Sequence, residues 1–261
     1  FIPKKMYICQ MQPKISIITV CYNSEKTIED TIQSVINQTY KHIEYIVIDG
    51  KSTDATLSLI NKYKDKISLI VSEKDKGIYD AINKGIELAT GDIIGNLNSD
   101  DFYTDNNVIE DVVSQLQQTN ADGLYADLNY VDNKNTGKIT RLWKSNEYKK
   151  GMFLKGWMPP HPTFFVKKEI YQQYGKFNLE FTSAADYEIM LRFIHKHEIS
   201  LTYLPRVIVK MRVGGISNAS LKNRIRANRE DKNAWLVNGL KPHPFTLILK
   251  PISKLGQFLK K

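Results

Sequence analysis

Short apolar runs alternate with amphipathic stripes along the first hundred residues. The runs are rich in Ile and Val and short enough for buried strands; they cover residues 15–20, 43–48, 67–71 and 92–97. Between them, apolar residues recur at helical spacing, in stripes that begin at Ile28, Leu57 and Ile78. Strands that alternate with helices predict an α/β fold, a Rossmann-like, mainly parallel sheet flanked by helices, with a ligand crevice at its carboxyl edge.

The pattern becomes mixed after residue 101. A helical stripe at 109–116 precedes two strand-like segments, 124–131 and 138–142, whose polar connection predicts a hairpin. Residues 161–166 predict a further strand, and a helix is expected from Ala184 onward. Because the sequence has no internal repeat and no low-complexity linker, we expect both halves to share one core.

Composition and charge narrow the class of protein. The chain has 261 residues, of which 42% are hydrophobic, and no apolar stretch approaches the roughly 20 residues needed to span a bilayer. No secretory signal pattern opens the chain, and Cys9 and Cys21 lack the spacing of a zinc or redox site, so we expect a cytoplasmic protein with free thiols. The net charge of +9 favours an anionic partner: nucleotide phosphate, nucleic acid or an acidic membrane surface.

The segment Asn98-Ser99-Asp100-Asp101 follows the fourth apolar run directly. Carboxylates at a strand end suit Mg²⁺ or Mn²⁺, since these ions bind few protein oxygens and let a substrate's phosphates complete the coordination. The alternative is a turn or a helix cap, in which Asp, Asn and Ser are equally common.

Motifs along the chain together resemble the family 2 glycosyltransferases, which have the GT-A fold. They are T-V-C-Y-N-S-E (19–25), S-V-I-N-Q-T-Y (34–40), I-D-G-K-S-T-D (48–54), A-T-G-D (89–92), L-N-S-D-D (97–101) and A-D-Y-E (185–188). Each motif alone is weak, but their common order is a specific signal. The resemblance implies one GT-A domain over residues 14–217, with a nucleotide-binding half (14–101) and a mixed acceptor half (102–217), before a C-terminal helical extension (218–261).

The resemblance implies a uridine pocket at the first two strand ends. Tyr22 would lay its ring on the base and Asp49 would accept the imide N–H of uracil, with Val20 and Asn23 beside them. The alternatives are a core aromatic for Tyr22 and a turn cap for Asp49.

The resemblance also assigns the diphosphate side of the site. Lys84 is expected to contact the diphosphate, because many family members have an arginine where this chain has Ile82; an exposed helix lysine is the alternative. The acidic segment matches the family's D-x-D element with Asn98 in the first position. Asp100 is then the metal ligand, Asn98 and Ser99 lie near the ribose or the metal's waters, and Asp101 faces the donor sugar.

The acceptor half supplies three further candidates. Asp186 matches the family's general base, with a helix N-cap as the alternative. His161 is expected to touch the diphosphate or the sugar, and a structural histidine is the alternative. Arg212 opens a segment with two glycines that resembles the part of the family that folds over the donor, where it would balance the charge of the leaving diphosphate.

The resemblance thus implies an inverting, metal-dependent glycosyltransferase that moves a sugar from a UDP-sugar to a hydroxyl of a glycan or lipid-linked acceptor in bacterial surface-polysaccharide biosynthesis. A nucleotidyltransferase would need a glycine-rich loop after the first strand, and a nucleic-acid-binding protein would need a recognised binding motif; neither is found. The tail, residues 240–261, mixes apolar side chains with lysines, which suits either peripheral contact with the inner face of the membrane or packing on the body.

Overall fold

One mixed sheet of nine strands organises the described part of the computed structural model, which comprises residues 12–214, 221–243, 246 and 250. The strands are β1 (Ile15–Cys21), β2 (Ile43–Asp49), β3 (Leu69–Ser72), β4 (Ile93–Asn96), β5 (Asp101–Tyr103), β6 (Gly123–Val131), β7 (Ile139–Trp143), β8 (Phe165–Lys167) and β9 (Leu201–Arg212). Their order is β3-β2-β1-β4-β8-β6-β9-β5, with β7 beside β6.

The structure has a helix at each predicted apolar stripe and one further helix, α5, that the sequence analysis did not predict. The α-helices are α1 (Ile28–Ile36), α2 (Thr56–Asn61), α3 (Ile78–Leu88), α4 (Val108–Thr119), α5 (Lys168–Tyr174), α6 (Ala185–Met190) and α7 (Leu221–Val237). Short 3-10 turns span Lys64–Lys66, Met152–Lys155 and His161–Thr163, and a π-helical segment, Leu191–Lys196, continues α6. The predicted α/β fold class is confirmed.

The first four strands form the parallel part of the sheet. β1 lies between β2 and β4, and all its side chains are buried, which explains its unbroken apolar sequence. Helix α3 packs closely on β1, since a Cβ added to Gly85 would lie only 2.4 Å from the Ile18 side chain. Parallel pairing brings the carboxyl ends of β1, β2 and β3 to one edge, where Cys21 pairs with Asp49 and Asp49 with Ser72.

The second part of the sheet is mixed, as its sequence predicts. β6 and β7 form the expected antiparallel hairpin, whereas β6 and β9 are parallel. The prediction of a strand at 161–166 is wrong in its first half, because His161 lies between Pro160 and Pro162. Prolines lack the N–H that a ladder requires, so the chain makes a 3-10 turn and β8 begins only at Phe165.

The C-terminal extension begins with the expected helix, α7. Its Trp235 indole donates a hydrogen bond to the Tyr187 hydroxyl at 2.9 Å. Lys250 contacts Asp231 at 2.7 Å and lies 3.6 Å from the centre of the Tyr187 ring. The contacts of Lys250 support the packing alternative for this part of the tail. Residues 244–245, 247–249 and 251–261 of the tail, Cys9 and residues 215–217 lie outside the described residues. No helix among the described residues has the length and apolarity to cross a membrane.

Candidate functional site

Hydrogen bonds tie together the loops that follow β1, β2 and β4. Asn23 accepts from the Thr53 backbone at 2.9 Å, and its own N–H donates to Ser52 Oγ at 2.9 Å. Asn23 adopts a left-handed conformation (φ 49°), which asparagine tolerates better than most residues. On the other side, Ser24 and Ser99 share a hydroxyl hydrogen bond of 2.9 Å. The predicted uridine pocket and the acidic segment are therefore neighbours.

Tyr22 and Asp49 differ sharply in exposure. The Tyr22 side chain is 63% exposed, which excludes the core-aromatic alternative, and its ring lies beside Gly50. Asp49 is fully buried and accepts hydrogen bonds from Ser52 Oγ at 2.5 Å and Ser72 Oγ at 2.6 Å. Asp49 thus forms the turn that was the alternative to base contact. Its contact with a base stays a prediction.

Two other residues that were predicted to bind the nucleotide-sugar, Val20 and Lys84, make contacts within the protein instead. Val20 is buried within β1. Lys84 forms ion pairs with Asp75 at 2.6 Å, Glu73 at 2.8 Å and Asp80 at 3.7 Å. The hydrogen bonds that Lys84 donates to Asp75 and Glu73 raise the pKa of Lys84. These ion pairs exclude the alternative interpretation, in which Lys84 was an exposed helix lysine. It holds the loop before α3 in place, and its contact with a diphosphate stays a prediction that these ion pairs do not favour.

The acidic segment carries two consecutive carboxyl groups, Asp100 and Asp101, between the end of β4 and the start of β5. Burial raises the pKa of Asp100. Asp101 is fully buried, and burial followed by the charge of Asp100 raises its pKa well above the usual range. The Asn98 amide nitrogen lies 3.4 Å from Asp101 Oδ2, while Asp101 Oδ1 has no hydrogen-bond partner among the described residues. Direct contact of Asp101 with a sugar stays a prediction that its burial does not favour.

These carboxyl groups fit a divalent cation that a substrate helps to hold. Within the described ranges, no three His, Cys, Asp or Glu side chains are grouped as a complete metal site. Mg²⁺ and Mn²⁺ with nucleotide substrates need only one or two carboxylates, because phosphates and water supply the other oxygens. Asp101 Oδ1 is a buried acceptor without a partner among the described residues, and burial, the main cause of both raised pKa values, penalises the two carboxylates in the metal-free protein. A bound cation would relieve both penalties. Asp100, which is the more accessible of the two, fits the ligand position.

Asp186 lies at the start of α6 with a partner on each carboxylate oxygen. Tyr79 donates its hydroxyl to Oδ1 at 3.4 Å, and His161 Nδ1 lies 3.4 Å from Oδ2. Burial, together with the charge of Asp186, raises the pKa of Tyr79, so this hydroxyl remains a donor. The Asp186 side chain is 23% exposed, so a substrate can reach it.

Glu230 of α7 caps the N-terminus of α6, the role that was considered as the alternative for Asp186. Its carboxylate accepts from the backbone N–H groups of Ser183 and Ala184 at 2.8 and 3.0 Å. The N–H groups of Ser183 and Ala184 are therefore satisfied without Asp186. Neither Tyr79 nor Glu230 was among the predicted site residues, because each reaches Asp186 or its helix from a distant part of the chain.

His161 connects the acidic segment to Asp186. Its Nε2 atom lies 3.4 Å from the Asn98 amide nitrogen, and its Nδ1 atom faces Asp186. A continuous chain of polar contacts therefore runs from Asp101 through Asn98 and His161 to Asp186. Contact of His161, Asn98 or Ser99 with a nucleotide-sugar stays a prediction.

Arg212 lies on the other face of the sheet. Its guanidinium pairs with Asp30 of α1, donates to the Asp100 carbonyl at 2.7 Å and lies 4.8 Å from the Phe102 ring centre. Phe102 follows Asp101 in β5 and so points to the opposite face. These contacts give Arg212 a structural role behind the acidic segment and do not favour its predicted place at the diphosphate. Glu188 is likewise structural, since it is buried and bonds both Arg192 and Asn238.

Comparison with known proteins identifies the family and the fold of the chain. The family model described as Glycosyl transferase family 2 matches residues 16–175. A UDP-Glc:alpha-D-GlcNAc-diphosphoundecaprenol beta-1,3-glucosyltransferase of Escherichia coli is 43% identical over 90 residues, which are 34% of this chain and 36% of that protein.

Two solved structures share the fold at 19% identity and a TM-score of 0.65, each over 94% of this chain. One is TarS 1–349 of S. aureus in complex with UDP-GlcNAc, of which 71% is covered. The other is the mannosyltransferase PcManGT of Pyrobaculum calidifontis in complex with GDP-Man and Mn²⁺, of which 70% is covered.

Proposed function

Because the chain belongs to glycosyl transferase family 2 and has the GT-A fold, we propose that this glycosyltransferase is an inverting, metal-dependent enzyme that uses a UDP-sugar. The observation that carries the proposal is the chain of contacts from the acidic segment through Asn98 and His161 to Asp186. It supports the proposal because it connects a segment suited to a cation-bound diphosphate with a partly exposed carboxylate. We take residues 14–217 as the catalytic domain.

Asp186 is the general base in this proposal. Its carboxylate accepts the proton of the acceptor hydroxyl while that oxygen bonds to the anomeric carbon, and the bond from this carbon to the diphosphate oxygen breaks with its electron pair leaving on UDP. Attack from the face opposite UDP inverts the anomeric configuration. Tyr79 and His161 hold the carboxylate from either side, so that its orientation is set before the acceptor arrives.

Asp100 would hold Mn²⁺ or Mg²⁺ together with the donor diphosphate. A bound ion of this kind neutralises the negative charge of a diphosphate leaving group. The preference for uridine rests on an exposed Tyr22 ring beside Gly50 and on the Asp49 carboxylate at the end of β2. The Mn²⁺ complex of the archaeal mannosyltransferase and the donor named for the Escherichia coli relative are in keeping with these assignments.

The acceptor in this proposal is a hydroxyl of a glycan or lipid-linked saccharide in bacterial polysaccharide assembly. The Escherichia coli relative is named for a diphosphoundecaprenol-linked acceptor, which supports this class. An enzyme that acts on such an acceptor would work at the inner face of the membrane, where a chain with net charge +9 favours contact with anionic lipid.

A panel of nucleotide-sugars with and without Mn²⁺ tests the proposal. A ligand that binds only the native state raises its thermal stability, so a UDP-sugar should raise the midpoint of unfolding in a metal-dependent way. The Asp186→Asn variant should keep this shift but lose transfer by about 10²–10⁴-fold. Unchanged turnover in Asp186→Asn would remove the base assignment, and an equal response to every nucleotide would remove the uridine assignment.

A further inference from the structure

A single carboxylate of α7 holds the backbone from which α6 begins. One oxygen of Glu230 accepts a hydrogen bond from Thr182 Oγ1 at 2.7 Å. The other oxygen accepts from the backbone N–H groups of Ser183 and Ala184 at 2.8 and 3.0 Å. Ala184 lies directly before α6, and an alanine side chain cannot cap a helix. The start of α6 therefore depends on a group that lies 46 residues later in the chain.

Further contacts with α7 fix the residues that follow Asp186. Helix α6 and the π-helical segment that continues it are short, and helices of fewer than about 12–15 residues are marginal in water without packing. Trp235 donates a hydrogen bond to the Tyr187 hydroxyl at 2.9 Å. Asn238 donates to the Glu188 carboxylate at 2.9 Å. Helix α7 thus holds the backbone before Asp186 and the side chains of the two residues after it.

The Asp186 side chain itself has partners outside α7. Tyr79 and His161 contact its two oxygens. These contacts act on the carboxylate alone, so the place of the backbone is set by the neighbouring residues. Burial is the main cause that raises the pKa of Tyr79, and the charges of Asp186 and then Glu230 add to it. The Glu230 carboxylate therefore lies within electrostatic range of the group that donates to Asp186.

We propose that Glu230 is a positioning residue for the transfer reaction: by fixing residues 182–184, it places the Asp186 carboxylate where it meets the acceptor hydroxyl. A general base must lie within hydrogen-bond reach of the proton that it takes, and a displacement of about 1 Å can cost roughly 10²-fold in rate. The inference deepens the proposed function and rests on it. It extends the catalytic unit beyond residue 217 to α7.

Two substitutions at Glu230 separate position from charge. Glu230→Ala removes every acceptor and should lower kcat by about tenfold or more. Glu230→Gln removes the charge but keeps the contacts, because its amide oxygen accepts from the two N–H groups and its amide nitrogen donates to Thr182 Oγ1. It should keep kcat within about threefold of the wild type. In both variants the KM for the donor and the affinity for UDP with Mn²⁺ should stay within about twofold.

Transfer is measured with UDP-glucose as the donor probe and an alkyl-diphosphate-linked N-acetylglucosamine as the acceptor probe. A double variant then tests whether Glu230 acts through Asp186. Adding Glu230→Ala to Asp186→Asn should lower kcat by less than about twofold, because losses within one functional unit are not additive. A general loss of structure would instead lower kcat equally in both backgrounds.

Hydrogen exchange tests the positioning without any substrate. The backbone amides of residues 182–188 should exchange faster in Glu230→Ala than in the wild type, because the start of α6 has lost its anchor. Glu230→Gln should exchange as the wild type does. The amides of residues 49–54, at the predicted uridine pocket, should be the same in all three proteins.

Two control variants exclude indirect effects. Glu180→Gln removes an exposed carboxylate from the loop before α6 and should behave as the wild type. Glu44→Gln removes a buried carboxylate near the amino end of β2, where it accepts hydrogen bonds from Lys14 and Ser16. Glu44→Gln should lower the melting temperature and leave kcat unchanged, which shows that lost stability alone does not slow transfer.

The inference fails if folded Glu230→Ala keeps the kcat of the wild type, if kcat and UDP affinity fall together, or if exchange at residues 182–188 does not change. It fails equally if Glu230→Gln loses as much kcat as Glu230→Ala, because the charge would then matter and the geometry would not. Unchanged turnover in Asp186→Asn, or absence of UDP binding by the wild type, would instead defeat the proposed function, whatever Glu230 does.

Discussion

His161 Nδ1 lies 3.4 Å from Asp186 Oδ2, and the opposite ring nitrogen faces the Asn98 amide nitrogen at the same distance. An amide nitrogen only donates, so Nε2 of the neutral ring accepts and Nδ1 carries the hydrogen that points at Asp186. The same Asn98 nitrogen faces Asp101 Oδ2 with its second hydrogen. The Asn98 amide therefore decides which atom donates and which accepts in each of these hydrogen bonds.

His161→Ala should lower kcat by about tenfold, because Asp186 loses one of the two donors that orient it and general-base catalysis depends on that orientation. UDP affinity should stay within about twofold, since a positioning residue acts on the chemical step. Steady-state kinetics and UDP titration measure the two effects. His42→Ala, at an exposed position before β2, is the control. If His161→Ala raised KM for the donor while kcat held, His161 would instead contact the nucleotide-sugar.

Asn98→Asp restores the family's first carboxylate and should destabilise the metal-free protein by about 1–3 kcal/mol. The variant loses both amide donors and places a further negative charge beside Asp100 and Asp101. Denaturant unfolding in the presence of a chelator measures this loss of unfolding free energy.

The metal response of Asn98→Asp is a second expectation. Mn²⁺ with UDP should raise the melting temperature of Asn98→Asp more than that of the wild type. Asn98→Ala also lacks the amide donors but adds no charge. It should therefore be destabilised like Asn98→Asp, without the larger response to Mn²⁺ and UDP. Equal responses to Mn²⁺ in all three proteins would contradict a metal at this strand end.

The local sequence was enough to predict which candidate site residues lie at the ends of strands. Asp49 and Asp100 each follow an apolar run, and Asp186 precedes a striped helix, so their neighbourhood follows from the α/β pattern and the family motifs. Tyr79 could not be predicted in this way, because it contacts Asp186 across 107 residues of chain. Glu230 caps α6 from another helix.

Two elements of the acceptor half escaped the sequence pattern for local reasons. Strand β9 contains Pro205 and Arg206, which break the apolar alternation, and its pairing with β6 shifts register there. Strand β5 is only three residues long and begins inside the acidic segment. Without β5 and β9, the sequence could not show that Asp101 and Tyr130 lie on one sheet.

Tyr22→Ala should weaken UDP binding about 5- to 100-fold, which corresponds to the loss of one base-stacking contact. The melting temperature should not change, because the Tyr22 side chain is 63% exposed and contributes little to the core. Calorimetric titration with UDP measures the effect. Tyr22→Phe keeps the ring and should bind as the wild type does. Full UDP affinity in Tyr22→Ala would show that the base binds elsewhere.

Glu44→Gln should reduce stability without affecting transfer. Glu44 lies near the amino end of β2, away from the carboxyl edge, and accepts hydrogen bonds from Lys14, Ser16 and Thr90 at 2.5–2.7 Å. Burial alone would raise the pKa of Glu44, but these donors outweigh it and lower the pKa from 4.5 to about 2. A carboxyl with such a shift stabilises the folded protein at neutral pH by about 3 kcal/mol.

The pH dependence separates this charge effect from a packing defect. Because folding lowers the pKa of Glu44, its contribution is complete above pH 4.5 and is lost as the pH falls from 4.5 towards 2. The difference in unfolding free energy between wild type and Glu44→Gln should therefore narrow across that window, measured by denaturant titration. Glu169→Gln, at a 67% exposed carboxylate, should change stability by no more than about 0.5 kcal/mol. A difference that stayed constant with pH would mean that the introduced amide disturbs packing and that the Glu44 charge contributes nothing.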